Sequence, residues 1–88
     1  MPEYCIYILE CRGGSLYTGW TTDLAARLAE HQAGRGARYT RSRLPVRMVY
    51  SEEMPSASAA RQREAAIKSM HRAQKLALIG SGRTATEL

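Results

Sequence analysis

Residues 4–10 (YCIYILE) are almost wholly apolar and β-prone. A run of that length without polar alternation predicts a central strand. Arg12-Gly13-Gly14 is a turn signal, and residues 16–20 (LYTGW) form a second β-prone run. The two runs are expected to pair as a hairpin. Its register follows from the loop. A two-residue Gly-Gly loop would pair Tyr17 with Glu10 and put Tyr7 and Tyr17 on opposite faces, because side chains alternate along a strand. A three-residue loop, with Gly14 in the left-handed region, pairs Cys11 with Ser15 and Tyr17 with Leu9, and both phenols then share one face.

After the hairpin the period changes. Thr21-Thr22-Asp23 supplies N-cap chemistry for a helix through about Gln32, and Gly34 follows as a stop. Leu24 and Leu28 stand at i and i+4 and should face the core. Arg27 and His31 have the same spacing on a neighbouring stripe. Residues 34–43 are basic and Gly-containing, which predicts a loop. Residues 46–51 (VRMVYS), entered after Pro45, predict a third strand. Ser56 is a plausible cap for a second helix to about His71, with Ala60, Ile67 and Met70 inward. A last helical stretch at about 74–79 should pack Leu76 and Ile79 and end at Gly80. Residues 1–80 then form one domain and 81–88 a frayed tail. The expected class is α/β: a small three-stranded, mainly antiparallel sheet flanked by helices, in the order β-β-α-β-α-α.

Composition narrows the setting. At 88 residues the chain buries only about 60% of its unfolded surface, so the core is small but feasible. There is no Phe, so Tyr, Leu, Ile, Met and Trp must build it. Ala-rich sequence between 57 and 77 favours helix. The formal charge is +5, with basic residues clustered at 35–47 and 61–75. That bias suits a polyanion, since phosphate neutralisation dominates nucleic-acid affinity. Cys5 and Cys11, six residues apart on one strand, are too distant for a disulfide. Without a CxxC or a nearby His pair they form no zinc site. Reduced thiols in a cytoplasmic protein are the simplest expectation. No signal peptide or membrane-spanning apolar run is recognisable.

The chemistry-bearing residues come in a set order: Cys5-Ile6-Tyr7, then Tyr17-Thr18-Gly19, Arg27, His31, the 34–37 turn (GRGA) and Glu64. Over roughly residues 4–79 this resembles the GIY-YIG nuclease domain, and most of all its small stand-alone bacterial members, the YhbQ-like group. The most diagnostic stretch is LYTGWTTDLAARLAEHQAGRGARYTR. Cys5 stands where the motif has Gly, Thr18 replaces its middle Ile, and the late Asn of some members has no counterpart.

The resemblance implies a divalent-metal-dependent endonuclease or phosphodiesterase acting on nucleic acid, DNA first. Tyr7 would be the general base toward water, and Tyr17 would orient water or a phosphate oxygen or share the base role. Gly19 would let backbone approach closely. Arg27 would stabilise phosphorane-like charge, and His31 would position the phosphate or assist proton transfer. Glu64 would hold a single Mg2+ or Mn2+. The roles make chemical sense. Hydrolysis needs an activated water and charge neutralisation. A hard cation keeps several waters, so one carboxylate can suffice. Arg matches non-bridging oxygens bidentately. Tyr, with a pKa of about 10, needs positive charge nearby to serve as a base.

Arg35, Arg38, Tyr39, Arg41 and Arg43 in the basic segment, with Lys68 one turn after Glu64, are the expected contacts to phosphates or bases. Each residue also has an ordinary structural reading. Tyr favours strands, His31 at a helix C-terminus suits the dipole, and Glu64 with Lys68 is an i,i+4 ion pair worth about 0.3–0.5 kcal/mol. Trp20 and His71 are read as structural. Two alternatives to the enzyme stand beside it: a nucleic-acid-binding module with little or no activity, and a subunit given specificity by a partner protein. No membrane partner is expected.

Overall fold

The computed structural model describes residues 4–81. Its elements are β1 (Tyr4–Glu10), a 3-10 turn (Arg12–Gly14), β2 (Leu16–Thr21), α1 (Leu24–Gln32), α2 (Arg38–Arg41), β3 (Arg47–Met54), α3 (Ala57–Lys68) and α4 (Arg72–Ser81). The strands form one antiparallel sheet in the order β2-β1-β3. The apolar β1 therefore takes the middle, with Ile6, Ile8 and Leu9 fully buried. The fold is the expected α/β class, a three-stranded sheet flanked by helices.

The hairpin adopts the three-residue loop. Tyr17 pairs with Leu9, and the Cys11 N–H donates to the Ser15 carbonyl at 2.8 Å. Both Gly13 (φ 87°) and Gly14 (φ 91°) occupy the left-handed region, where the expectation had Gly14 alone. This loop places two consecutive residues there, and both are glycine, which adopts the region without strain.

Alternation along β1 divides the core in two. Ile6 and Ile8 point to one face and meet Val49, Tyr50 and, from α3, Ala60 and Ile67. Leu78 and Ile79 of α4 close that side. Tyr7, Leu9 and Cys11 point to the other face, where Met48, Leu24 and Leu28 cover them. One irregularity in β3 serves both. The pairing shifts from Ile8 with Tyr50 to Leu9 with Met48, skipping Val49, which re-aims the strand across the break. Cys5 and Cys11 are both buried thiols.

The helix starts are where their caps place them. The Asp23 carboxylate accepts from the Ala26 N–H at 3.0 Å, and Ser56 Oγ accepts from the Ala59 N–H at 3.1 Å. Gly34 (φ 79°) terminates α1.

Four boundaries differ from expectation. The basic 34–43 segment contains a helical turn, α2, rather than a continuous loop. β3 continues to Met54. Its Glu52 is half-buried and held by Arg63 Nε at 2.7 Å and by the Tyr50 hydroxyl, also at 2.7 Å, so a polar stretch stays in the sheet. α3 ends at Lys68, not His71, and His71 caps α4 by donating its backbone N–H to Gln74. α4 starts at Arg72 and contains Gly80, while Leu76 is 46% exposed. Its inward face is Lys75, Leu78 and Ile79, an i, i+3, i+4 set that leaves Leu76 off the stripe. Ser81 thus closes a helix, and the rest of the expected tail, 82–88, lies outside the described residues. Among the described residues no helix is long and apolar enough to cross a membrane.

Candidate active site

The site lies on the α1 face of the sheet, where the edge strand β2 lacks a side chain. Gly19 pairs with Tyr7 across the hairpin. A Cβ at Gly19 would stand 2.5 Å from Tyr7 Oη and 2.7 Å from Cζ. The missing side chain is therefore the space that the Tyr7 phenol occupies, and β1 can carry a large ring that is only 1% exposed.

Helix α1 brings two groups to that phenol. His31 Nε2 is 2.9 Å from Tyr7 Oη, and Arg27 Nε donates to the same oxygen at 3.4 Å. The i,i+4 spacing stacks Arg27 and His31 on one stripe above β1. Arg27 is also tied by Nη1 to Glu30 at 2.9 Å. Its side chain is 31% exposed, so further N–H groups remain to face an anion. His31 is fully buried. Gly36 leaves room for its ring, since a Cβ there would press on Nδ1 and lie 2.8 Å from Cγ. Nδ1 is 2.8 Å from Thr40 Oγ1, and Thr40 Oγ1 in turn donates to the Ala37 carbonyl at 2.9 Å.

Tyr17 adjoins this group, its ring 6.5 Å from Tyr7 and 5.5 Å from His31, centroid to centroid. Tyr39 lies nearly parallel to Tyr17, at 6.0 Å and 21°. The Arg43 guanidinium sits 3.8 Å over the Tyr39 ring. From the opposite layer, α3 reaches the β2 edge. Lys68 Nζ is 5.9 Å from the Tyr17 ring and 3.3 Å from the Glu64 carboxylate.

Electrostatics hold the resting pair neutral. Burial raises the Tyr7 phenol above its ordinary value. The hydrogen bond and charge of Arg27 oppose that rise, while Tyr17 and Glu64 add to it. Burial and then the charge of Arg27 lower the His31 imidazole, against a smaller pull from Glu30. Arg27 alone does not offset the desolvation of Tyr7, so the phenol keeps its proton and His31 stays without a second one.

Among the expected site residues, Tyr7, Tyr17, Arg27 and His31 converge, with Gly19 beneath them. Glu64 stands close enough for its charge to act on Tyr7. Tyr39, Arg43 and Lys68 border the cluster. Arg35, Arg38 and Arg41 are exposed along the turn that carries Thr40. The His31 ring is fully buried, with its two nitrogens turned to Tyr7 and Thr40, a position that suits the expected proton-transfer role better than direct contact with a phosphate. Sequence reasoning did not single out Thr40 or Gly36. Gly36 lay within the quoted turn, but a threonine among arginines carries no spacing signal.

The model of the GIY-YIG catalytic domain matches residues 3–77, and the chain belongs to this family, which points to the nuclease superfamily. The chain is also similar to UPF0213 proteins. It is 60% identical to a UPF0213 protein of Streptococcus sanguinis over 74 residues, 84% of this chain and 85% of that one. The solution NMR structure of UPF0213 protein BH0048 from Bacillus halodurans shares 44% identity at a TM-score of 0.58, covering 91% of this chain and 84% of that one. That of protein EF2693 from E. faecalis shares 38% at 0.63, covering 92% and 86%.

Proposed function

We propose that the protein is a divalent-metal-dependent endonuclease that hydrolyses phosphodiester bonds of nucleic acid, DNA first. The observation that carries the reading is the Tyr7 hydroxyl held between Arg27 Nε and His31 Nε2, beside Tyr17 and within reach of the Glu64 charge.

In this reading a water approaches Tyr7 Oη and gives it a proton as the phenolic proton passes to His31 Nε2. The water oxygen attacks phosphorus as the bond to the leaving oxygen breaks. The leaving alkoxide takes a proton from solvent water, and His31 returns its proton through Tyr7 after the product departs. Because the resting pair is neutral, the transfer is coupled to substrate. A phosphate against Arg27 offsets the guanidinium charge that otherwise disfavours an imidazolium. Arg27 holds the non-bridging oxygens, and Tyr17 orients the water or a phosphate oxygen. Arg35, Arg38, Arg41 and Arg43, with Tyr39, carry the flanking strand, and such contacts position without reading sequence.

No three His, Cys, Asp or Glu residues cluster as a metal cage among the described residues. A resident cation would thus rest on Glu64 as its one carboxylate, with waters filling the remaining positions. That arrangement suits Mg2+ or Mn2+, and the Glu64 side chain, 23% exposed, is open to it. When bound, the cation supplies charge neutralisation at the phosphoryl group and the leaving oxygen. Lys68, displaced from Glu64, is then available to the phosphate backbone.

The test is a cleavage assay with Mg2+ and Mn2+ over duplex, single-stranded and branched DNA and RNA. The wild type should cut only with metal. Glu64→Ala should abolish cutting while folding and most binding persist. Salt-sensitive binding with no cutting on any substrate would favour the binding module, and metal-independent cutting would refute the assignment.

A further inference from the structure

The chain of hydrogen bonds behind Tyr7 has a direction, and one residue outside the motif sets it. Thr40 Oγ1 carries a single proton and faces two groups: the Ala37 carbonyl at 2.9 Å and His31 Nδ1 at 2.8 Å. A carbonyl oxygen only accepts. Two oxygens 2.9 Å apart without a proton between them would oppose lone pair to lone pair, so the threonine proton lies on the Ala37 side. That carbonyl is itself fixed, since it also accepts the N–H groups of Thr40 and Arg41 at 3.1 Å each as α2 begins. Its proton spent, Thr40 Oγ1 can only accept from His31. Nδ1 is then the N–H of the neutral ring, and Nε2 bears a bare lone pair. Nε2 faces Tyr7 Oη, so Tyr7 donates to it and receives from Arg27.

We propose that Thr40 is a positioning residue for the site. By fixing His31 as its Nδ1–H tautomer, it makes Nε2 the acceptor for the Tyr7 proton. This rests on the endonuclease reading for its consequence, but the tautomer itself does not. The opposite tautomer would place an N–H of His31 against Tyr7. The Tyr7 oxygen would then receive from both His31 and Arg27, and its own proton would have no route to the imidazole. A base oriented by a third group is a recurring arrangement in enzymes, and here a hydroxyl spent on a helix-start carbonyl supplies the orientation. Both His31 and Thr40 are fully buried, so neither relies on bulk water for its partner. Gly36 belongs to the same device, since any Cβ there would push the ring off both partners.

The chain has two histidines, so a His71→Gln background leaves His31 as the sole imidazole. His71 is exposed, and its loss spares the site. Long-range 1H–15N correlation spectra of the labelled protein at pH 8 should show Nδ1 protonated and Nε2 bare. Thr40→Val should shift the ring toward the Nε2–H form, and Thr40→Ser should restore it. In the cleavage assay Thr40→Val should lower kcat roughly 10–100-fold with KM within about twofold of the wild type, and Thr40→Ser should recover most of the rate. An Nε2–H ring in the Thr40-containing protein overturns the proposal, and this outcome needs no folded Thr40 variant. So does an Nδ1–H ring that persists in folded Thr40→Val. If the wild type fails to cleave, the endonuclease reading falls while the spectrum still decides the tautomer.

Discussion

The two faces of the sheet are built to different ends. Under α3 and α4, Ile6 and Ile8 meet Val49, Ala60 and Ile67, and the charged pair Glu52–Arg63 clasps the rim. Under α1, Leu9, Met48, Leu24 and Leu28 make a comparable apolar floor. That floor is interrupted by a buried line of polar atoms: Tyr7 Oη, His31, Thr40 Oγ1 and the Ala37 carbonyl. Burying polar groups costs free energy even when each is satisfied, and apolar residues of equal volume would serve stability as well or better. The line runs from the Ala37 carbonyl to the buried Tyr7 hydroxyl, where the partly exposed Arg27 meets it. One face is packed with apolar side chains, and the other spends part of its core on a phenol hydrogen-bonded to a buried imidazole.

The sharpest way to break that contrast is to fill the space at Gly19. Gly19→Ala places a Cβ against Tyr7 Oη and Cζ. It should cost about 1–3 kcal/mol of stability and lower the cleavage rate on the order of 10²-fold, close to loss of the general base itself. The matched change on the closed face, Ile8→Val, should cost about 1 kcal/mol and leave the rate per folded molecule unchanged. Denaturant midpoints beside single-turnover rates measure both. Equal effects of the two on the rate would erase the distinction between the faces.

A smaller effect separates them by pH. His31 is lowered in the folded state from its ordinary value near 6.5. Above that pH, folded and unfolded chains both carry it neutral, and its contribution is fully present. As pH falls below 6.5 the unfolded chain takes up a proton first, so stability drops until the folded value is reached. The wild type should therefore weaken as pH falls below about 6.5, and folded His31→Gln should show a shallower slope there. An unchanged slope would mean that His31 is not held neutral. Ile8→Val should shift the whole curve without changing its slope.

What was legible in the sequence follows the same division. The apolar run of β1 and the Gly13-Gly14 turn signalled the hairpin but left two registers open, and only a shared site for Tyr7 and Tyr17 favoured the three-residue loop that the structure has. Asp23 and Ser56 announced their helices by local hydrogen bonding. The end of β3 was hidden because Glu52 reads as solvent-facing until Arg63 of α3 is brought to it beside Tyr50 of the same strand. α2 was hidden because four residues are too few to show a helical period and Gly34 and Gly36 precede them. Thr40 acts entirely through His31, nine residues away, so no spacing exposes it. The burial of His31 depends on the absence of a side chain at Gly36, which is apparent only once the ring and the turn meet. The residues that converge at the site could be named one by one from the sequence, whereas the contacts among Gly36, His31 and Thr40 exist only in three dimensions.

The central claim, that Tyr7 passes a proton through a metal-dependent phosphodiester cleavage site, is met most directly by single-turnover cleavage with Tyr7→Phe beside the wild type. Both would be measured with and without Mg2+ or Mn2+, and nucleic-acid binding titrated in parallel. Tyr7→Phe should bind as the wild type does and cleave on the order of 10²–10⁴-fold more slowly. Cleavage at the wild-type rate by the folded Tyr7→Phe protein would contradict the account.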